Sequence, residues 1–271
     1  GIAMGIKNKT LIDMIRRNNN YFEDYITRSV YHSNAIEGST LSYYETYQVI
    51  FNCSSDEILS NIKPRELYEA INLKYAMDYI FDHLEEDITA SYLINIGRII
   101  NKNINEISSF RTSPVFILGA EHIPPDASDI PRLINELIYT SFKSEDFLYD
   151  LADFHIRYER IHPFGDGNGR SGRVLMNKIA MSEGYAPFVI PKEERTQYMN
   201  LLADCNTDGL KQMIQKLMQV EIERMKQFDI HFEKTMRSSG LMEKPDNSLH
   251  QINTKEPELI QLAPMNKKRG K

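Results

Sequence analysis

The chain of 271 residues has few cysteines, no long apolar run and no excess of positive charge. Its two cysteines, Cys53 and Cys205, do not form a CxxC pair, which argues against a zinc site and for a reducing compartment. No stretch approaches the roughly 20 apolar residues that cross a bilayer. The first residues also lack the apolar core and cleavage site of a secretory signal. We therefore expect a cytoplasmic protein that does not contact a membrane.

The charge balance excludes one broad class of partner. Lysine and arginine total 32 against 38 acidic residues, which gives a formal net charge of -6. Binding to nucleic acid through a general basic surface is therefore not expected, although a local basic pocket is. Hydrophobic residues make up 41% of the chain, enough for a core in one large domain or two modest ones.

Apolar residues recur at helical spacing along most of the chain. Start and stop signals predict helices over residues 21–37 before Gly38, from the Ser42/Glu45 capping box, over residues 64–84, and from Thr89 and Asp129. Residues 110–125, FRTSPVFILGAEHIPP, are the exception, because β-formers precede a glycine and a proline pair. This segment predicts a short β-hairpin.

Residues 162–170, HPFGDGNGR, lie between two helical patterns and are predicted to form a loop joining two helices. Glycines let the backbone fold back on itself, and the start of the second helix leaves N–H groups unpaired beside a positive partial charge. Such a loop is an anion cradle, and phosphate is the anion it favours.

Three other interpretations of this loop are weaker. GNGRSG, residues 167–172, matches the dinucleotide-binding pattern GxGxxG, but a helix rather than a strand precedes it. A calcium loop beginning at Asp166 would need an acidic or amide residue at Arg170 and a glutamate at Asn177. A simple helix cap at His162 followed by a glycine turn would not explain why a histidine, a carboxylate, an amide and two arginines converge.

The residue types of the loop indicate transfer of a phosphorus-containing group. Asp166 is a hard oxygen ligand suited to Mg²⁺, which usually fills its shell with phosphates and water. Arg170 and Arg173 lie three apart on one helix face, and their planar guanidinium groups suit bidentate contacts with a polyphosphate. His162 titrates near neutral pH and can accept a proton from an attacking hydroxyl.

The motif HPFGDGNGR, followed by Arg173, resembles the signature of the Fic family, HxFx(D/E)GNGRxxR, at every fixed position. The resemblance implies an all-α Fic fold, a helical bundle with a short β-hairpin flap. It also implies an enzyme that moves AMP from Mg·ATP onto a protein hydroxyl with loss of pyrophosphate. By this resemblance His162 is the base, Asp166 binds Mg²⁺ (or Mn²⁺), and the phosphates are held by Gly167, Asn168, Gly169, Arg170 and Arg173.

The same resemblance gives two further expectations. The hairpin would be a flap that aligns a target segment by strand addition, with Val115, Ile117 and His122 on its inner surface. A hairpin packed on the core is the alternative for these three residues. Tyr198, within EERTQYMNLL, would stack on adenine, although a tyrosine at helical spacing is more often a core residue.

A second motif, SNAIEG at residues 33–38, places Ser33 and Glu37 on one helix face with Glu37 at the helix end. A carboxylate there faces the negative end of the helix dipole, which costs roughly 0.3–1 kcal/mol unless a cation lies nearby. The stretch resembles the inhibitory motif (S/T)xxxE(G/N) of the Fic family, which implies that Glu37 pairs with Arg173 and blocks productive ATP binding. The alternative is an ordinary helix end at the surface.

The predicted organisation is an N-terminal helical region over residues 1–87, a catalytic core over 88–205, a C-terminal helix over 206–235 and a mobile polar tail over 236–271. The predicted function is an auto-inhibited protein adenylyltransferase that uses ATP to modify a Tyr, Ser or Thr hydroxyl of a target protein or of itself. Removal of AMP, transfer of phosphocholine, UMP or phosphate, and ATP sensing without catalysis stay open as alternatives. A homo-oligomer is compatible with the sequence.

Overall fold

A computed structural model describes residues 1–52 and 56–231, and within these ranges it contains eleven α-helices and no paired strands. The helices are α1 (Lys9–Arg17), α2 (Asn19–Ile36), α3 (Tyr43–Phe51), α4 (Asp56–Ser60), α5 (Pro64–Asp82), α6 (Ala90–Asn101), α7 (Ile130–Thr140), α8 (Phe147–Ile161), α9 (Asn168–Ser182), α10 (Arg195–Ala203) and α11 (Thr207–Gln227). None of these helices is both long enough and apolar enough to cross a membrane. The predicted polar tail, residues 236–271, lies outside the described ranges.

The helix boundaries follow the sequence signals closely. Helix α2 ends at Glu37 as its C-cap, and Gly38 adopts a φ of +94°, which only glycine reaches without strain. The capping box of α3 is complete, since Ser42 accepts from the Glu45 amide and the Glu45 side chain accepts from the Ser42 amide. Thr89 caps α6 by accepting from the amide of Tyr92 at 3.1 Å.

Helix α9 is the central element of the fold. Every residue from Arg170 to its end is buried, as is Asn168, so the helix is enclosed by neighbours on all sides. It packs against α2, α5, α6 and α8. One cluster of buried apolar side chains extends from Ile2 to Ile230, so the N-terminal region and the catalytic core share a single hydrophobic core. The site described below is built around the first turn of α9.

The predicted β-hairpin is not formed. Residues 110–125 contain a single turn at residues 117–120, where the Ala120 amide donates to the Ile117 carbonyl at 3.1 Å. The physical reason is visible in the segment itself, because Pro114, Pro124 and Pro125 lack the N–H donors that a ladder requires. Among the described residues, the β-type pairing that does occur is an isolated bridge between Ile2 and Ile88. The flap is therefore an irregular loop rather than a two-stranded ribbon.

Candidate active site

His162 ends α8 and turns the chain into the loop. Its backbone adopts φ 53° and ψ 63°, a left-handed conformation, and its amide donates to the Tyr158 carbonyl at 3.1 Å. The His162 carbonyl accepts from Nε of Arg111 at 2.7 Å, which fixes this strained turn from outside. Burial lowers the pKa of His162 below its ordinary value, and the positive charge of Arg111 adds to the shift. The imidazole is therefore neutral at pH 7 and able to accept a proton.

Three side chains hold the shape of the loop. Phe164 is fully buried, and its ring centroid lies 5.8 Å from that of Phe110. The carboxamide of Asn168 bridges back to the same residue, accepting from the Phe164 amide at 2.9 Å and donating to the Phe164 carbonyl at 2.8 Å. Asn101 of α6 donates to the Asp166 carbonyl at 3.1 Å. Asn168 was predicted to hold phosphate, but the oxygen and the nitrogen of its carboxamide are both hydrogen-bonded within the loop.

Gly97 of α6 leaves the space that the Phe164 ring fills. A Cβ atom at position 97 would lie 2.4 Å from the ring, well inside van der Waals contact. We expect Gly97→Ala to destabilise the protein by about 1–2 kcal/mol, because overpacking at roughly 1–3 kcal/mol outweighs the gain of about 1 kcal/mol in helix propensity. Urea unfolding followed by circular dichroism measures the effect. Gly5→Ala is the control, since a Cβ there meets no atom within 4 Å; equal midpoints for the two variants would contradict the prediction.

The first turn of α9 faces the loop and carries the expected anion-binding features. Gly167 precedes the helix with a φ of +80°, and a Cβ there would lie 2.8 Å from Cγ2 of Ile100, so this position requires glycine on two counts. The opening amides of a helix have no intrahelical partners and attract negative charge. Arg170, on the same turn, is buried, and its Nε and Nη1 atoms have no hydrogen-bond partner. Nη1 also lies 3.7 Å from Oε2 of Glu69, an ion-pair distance too long for a hydrogen bond.

Asp166 lies between two arginines. Its Oδ1 accepts from the Gly167 amide at 2.8 Å and from Nη2 of Arg170 at 3.2 Å, while its Oδ2 accepts from Nη2 of Arg65. Burial acts to raise the pKa of Asp166, but the positive charges of Arg170 and Arg65 outweigh it, and the pKa lies below its ordinary value. The carboxylate is therefore ionised, as a metal ligand must be.

The donor set fits an ion that arrives with a substrate better than a resident metal. No group of three or more His, Cys, Asp or Glu side chains in the described ranges is arranged to hold a metal ion. Asp166 supplies one hard carboxylate beside the open helix start, and Mg²⁺ commonly takes one or two carboxylates and completes its shell with phosphates and water. The residues present are compatible with Mg²⁺ carried by ATP.

The end of α2 meets the start of α9 through Arg173. Nε of Arg173 donates to Oγ of Ser33 at 2.8 Å, and Nη2 donates to the Ser33 carbonyl at 3.1 Å and to Oε1 of Glu37 at 2.6 Å. The Glu37 carboxylate lies directly over Gly169, where a Cβ atom would come within 2.2 Å of Oε1. The structure therefore brings Ser33, Glu37, Gly169 and Arg173 together. The two members of the ion pair, Glu37 and Arg173, are 136 residues apart in sequence.

Two further observations explain why Glu37 is stable at a helix C-terminus. Nε of Arg195 donates to the Ile36 carbonyl at 2.8 Å, so cations from α9 and α10 both face the negative end of α2. Burial raises the pKa of Glu159, which lies behind Arg173, to about 8, with Arg173 acting against the shift. Burial thus favours the neutral form of Glu159, and the carboxylate that forms an ion pair with Arg173 is that of Glu37.

The prediction that Tyr198 stacks on a nucleotide base is wrong in this structure. The ring is fully buried, and its hydroxyl makes a hydrogen bond of 2.5 Å with Nε2 of His155. The guanidinium of Arg173 lies 5.9 Å from the Tyr198 ring centroid. The inward face of α10 thus places Tyr198 behind Arg173, where it supports the arginine and has no face open to a ligand.

The three residues predicted for the flap have different environments. Val115 and Ile117 are half-buried, while Phe116 and Leu118 between and after them are 80% and 98% exposed, so the side chains alternate without any strand pairing. A ring nitrogen of His122 makes a hydrogen bond of 2.9 Å with the Arg160 carbonyl. His122 therefore ties the segment to the last turn of α8, next to His162.

Sequence reasoning missed the arginines that organise the site from a distance. Arg65 and Glu69 of α5 reach Asp166 and Arg170, and Arg111 fixes the His162 turn. One signal was available for Arg65, because a cation in the first turn of a helix faces the positive end of the dipole and needs a carboxylate partner. No local pattern pointed to Arg111.

The described residues thus form an all-helical protein in which a histidine and a glycine-rich loop precede a helix start that carries two arginines. Residues 87–180 match the family model described as the Fic/DOC family. The chain therefore contains a Fic/DOC-family domain over these residues. The matched range lies within the core predicted from the sequence motif, residues 88–205, apart from its first residue.

Relatives and solved structures agree with this assignment. The chain is 31% identical over 201 residues to "Protein adenylyltransferase Fic" of Aedes aegypti, a match covering 71% of this chain and 39% of that protein. The protein of the same name from Drosophila melanogaster is 30% identical over 193 residues, covering 68% of this chain and 38% of its own length. The chain thus spans about two fifths of the length of these curated relatives.

Among solved structures, Fic-1 of C. elegans (residues 134–508) superposes with a TM-score of 0.66 at 22% identity, covering 81% of this chain and 69% of that one. A Fic domain containing signaling protein from Bacteroides thetaiotaomicron gives a TM-score of 0.63 at 20% identity, covering 78% and 92%. At these identities the two likenesses show the fold, which is the Fic fold predicted from the motif.

Proposed function

We propose that the chain is an auto-inhibited protein adenylyltransferase that transfers AMP from Mg·ATP to a Tyr, Ser or Thr hydroxyl of a target protein or of itself. The observation that carries this proposal is the position of His162 at the end of α8, a few residues before a helix start that carries Arg170 and Arg173. The name shared by the relatives from Aedes aegypti and Drosophila melanogaster supports the same activity.

Each side chain of the site has a role in the proposed reaction. His162 accepts the proton of the attacking hydroxyl as its oxygen forms a bond to the α-phosphorus, and the bond from that phosphorus to the pyrophosphate oxygen breaks. Arg170, Arg173 and the amides at the start of α9 hold the phosphate charges. Mg²⁺ carried by ATP would neutralise charge on the departing pyrophosphate, with Asp166 as its protein ligand. Asn168 keeps the loop in shape through both of its contacts with Phe164.

The position of Glu37 supports auto-inhibition. Its carboxylate occupies the space above Gly169 and pairs with the arginine that a terminal phosphate would need. Two negative groups cannot share that space or that guanidinium at low energetic cost. The inhibited and the ATP-competent arrangements therefore compete for Arg173.

The reaction class is tested by incubating Glu37→Gly protein with Mg·ATP and measuring its intact mass. A gain of one AMP per modified hydroxyl is the expected product. A separate incubation with AMP-modified protein distinguishes the reverse activity, because loss of AMP there without any gain in the first experiment would identify a hydrolase instead. Incubation with UTP or CDP-choline in place of ATP tests transfer of the other groups.

Asp166→Ala should lower AMP transfer on the order of 10²-fold or more and remove its dependence on Mg²⁺, because no other carboxylate lies in the loop. The measurement is labelled AMP incorporation over a series of Mg²⁺ concentrations, in protein carrying Glu37→Gly. Asp153→Ala is the matched control, since Asp153 pairs with Arg157 on the surface of α8. Activity of the Asp166 variant at the parent level in EDTA would refute the metal role.

A further inference from the structure

Four charged side chains form a closed ring beside the loop. Arg65 donates to Oδ2 of Asp166 through Nη2 and to Oε1 of Glu69 through Nε at 3.1 Å. Nη1 of Arg170 lies 3.7 Å from Oε2 of Glu69, and Nη2 of Arg170 donates to Oδ1 of Asp166 at 3.2 Å. Positive and negative groups alternate around the ring, so its formal charges cancel.

The members of the ring differ in how firmly they are held. The side chains of Arg170 and Glu69 are 3% and 9% exposed, whereas that of Arg65 is 58% exposed. Arg65 is also in the first turn of α5, where the helix dipole opposes a positive charge. Arg65 is therefore the member of the ring that can move away from Asp166 at the lowest energetic cost, and its Nε atom can keep its hydrogen bond to Glu69.

Both carboxylate oxygens of Asp166 are already in use. Oδ1 accepts from the Gly167 amide and from Arg170, a backbone group and a buried side chain that cannot withdraw without moving the loop. Oδ2 is held by Arg65. Oδ2 keeps a second lone pair, but a divalent cation bound there would lie beside the Arg65 guanidinium, and the two positive charges repel each other. A cation that takes Asp166 as its ligand therefore competes with Arg65 for Oδ2.

We propose that Arg65 is a positioning residue that competes with the divalent cation of the nucleotide for Oδ2 of Asp166. Given the function proposed above, binding of the metal-loaded nucleotide is an exchange. The cation replaces the Arg65 guanidinium at Asp166, and that guanidinium stays on Glu69. Metal-free nucleotide undergoes no such exchange, because it brings no ion to Asp166. Arg65 thereby sets how strongly the ion promotes nucleotide binding.

The test compares nucleotide affinity with and without metal in the full chain carrying Glu37→Gly. Calorimetry gives the affinity for α,β-methylene-ATP in Mn²⁺ and in EDTA, and electron paramagnetic resonance counts bound Mn²⁺. With Arg65→Ala, the factor by which Mn²⁺ strengthens nucleotide binding should rise about two- to fivefold, the range expected for removing a partly exposed ion pair. Loss of a positive charge by itself would mainly weaken binding in EDTA, because metal-free nucleotide carries more negative charge than its Mn²⁺ complex. Competition for Asp166 predicts instead that the affinity in Mn²⁺ rises, so a larger factor that comes only from weaker binding in EDTA would contradict the inference.

Arg16→Ala is the matched control. Arg16 makes a similar pair with Asp82 at 2.6 Å, at the opposite end of α5, and its side chain is comparably exposed. It should leave the factor at the parent value. Should Arg65→Ala lower the melting temperature, Arg65→Gln repeats the measurement with most of the side-chain length retained.

Each outcome is decisive. An Arg65→Ala factor equal to that of the parent, or below it, would overturn the inference while leaving the proposed function intact. Failure of the Glu37→Gly parent to bind nucleotide or Mn²⁺ at all would overturn the proposed function and the inference with it. The two failures are distinguishable because the second appears before Arg65 is changed.

Discussion

Alanine in place of His162 should lower AMP transfer by about 10²–10⁴-fold and leave Mg·nucleotide affinity close to that of the parent. In the proposed mechanism the imidazole acts on the attacking hydroxyl, whereas the phosphates would be held by α9 and by the Mg²⁺ that Asp166 would bind. Label transferred from ATP measures the first quantity and calorimetry with α,β-methylene-ATP the second, both in protein carrying Glu37→Gly. His83→Ala controls for loss of a histidine, since His83 lies on the surface beside Glu86.

The pH profile adds a check on the same assignment. A base acts in its neutral form, and burial holds the pKa of His162 below its ordinary value of 6.5. The rate should therefore stay level as the pH falls from about 8 to 6.5 and decline only below that. Two results would contradict the role of His162 as the base. One is a decline in the transfer rate centred above pH 6.5, and the other is a His162→Ala protein that loses nucleotide binding but keeps turnover.

Glycine in place of Glu37 should raise AMP transfer by roughly 5–150-fold, the range typical of a coupling of about 1–3 kcal/mol. The substitution clears the space above Gly169 and frees Arg173 for a terminal phosphate. AMP incorporation at saturating Mg·ATP is the measurement. Glu183→Gly is a close control, because Glu183 is likewise a helix C-cap followed by a glycine, but at the far end of α9.

A double substitution separates relief of inhibition from a general change in α2. If the effect of Glu37→Gly passes through Arg173, it should vanish in protein that also carries Arg173→Ala, since no guanidinium is left to be freed. Persistence of the full activation in the double variant would mean that Glu37 acts by another route. Equal activity in the parent and in Glu37→Gly would mean that SNAIEG, residues 33–38, is an ordinary helix end without an inhibitory role.

The sequence was most informative where the physics is local. Capping at Ser42 and Thr89, the glycine stop at Gly38 and the loop between α8 and α9 all depend on neighbours within a few residues, and all were predicted. The dipole argument also required a cation near Glu37, and the structure supplies Arg173 and Arg195.

The failures concern the orientation of side chains and pairing over long distances. Tyr198 was predicted to face a ligand, but which face of α10 is buried depends on α8 and α9, which helical spacing alone does not reveal. Arg65 and Asp166 are 101 residues apart, and no local pattern joins them. The hairpin failed for a reason present in the segment, since three prolines deprive its arms of donors.

The attachment of α2 to the rest of the molecule limits how the proposed inhibition could be relieved. Tyr21, Tyr25, Ile26, Val30 and Ile36 of this helix are fully buried. At roughly 1.5–3 kcal/mol for each buried side chain, lifting α2 away would cost on the order of 10 kcal/mol, about the whole stability of a typical domain. A signal that relieved the proposed inhibition would therefore have to act on the final turn alone, by moving the Glu37 side chain, which is 32% exposed. Regulation of this kind would change the position of one side chain and leave helix α2 packed in the core.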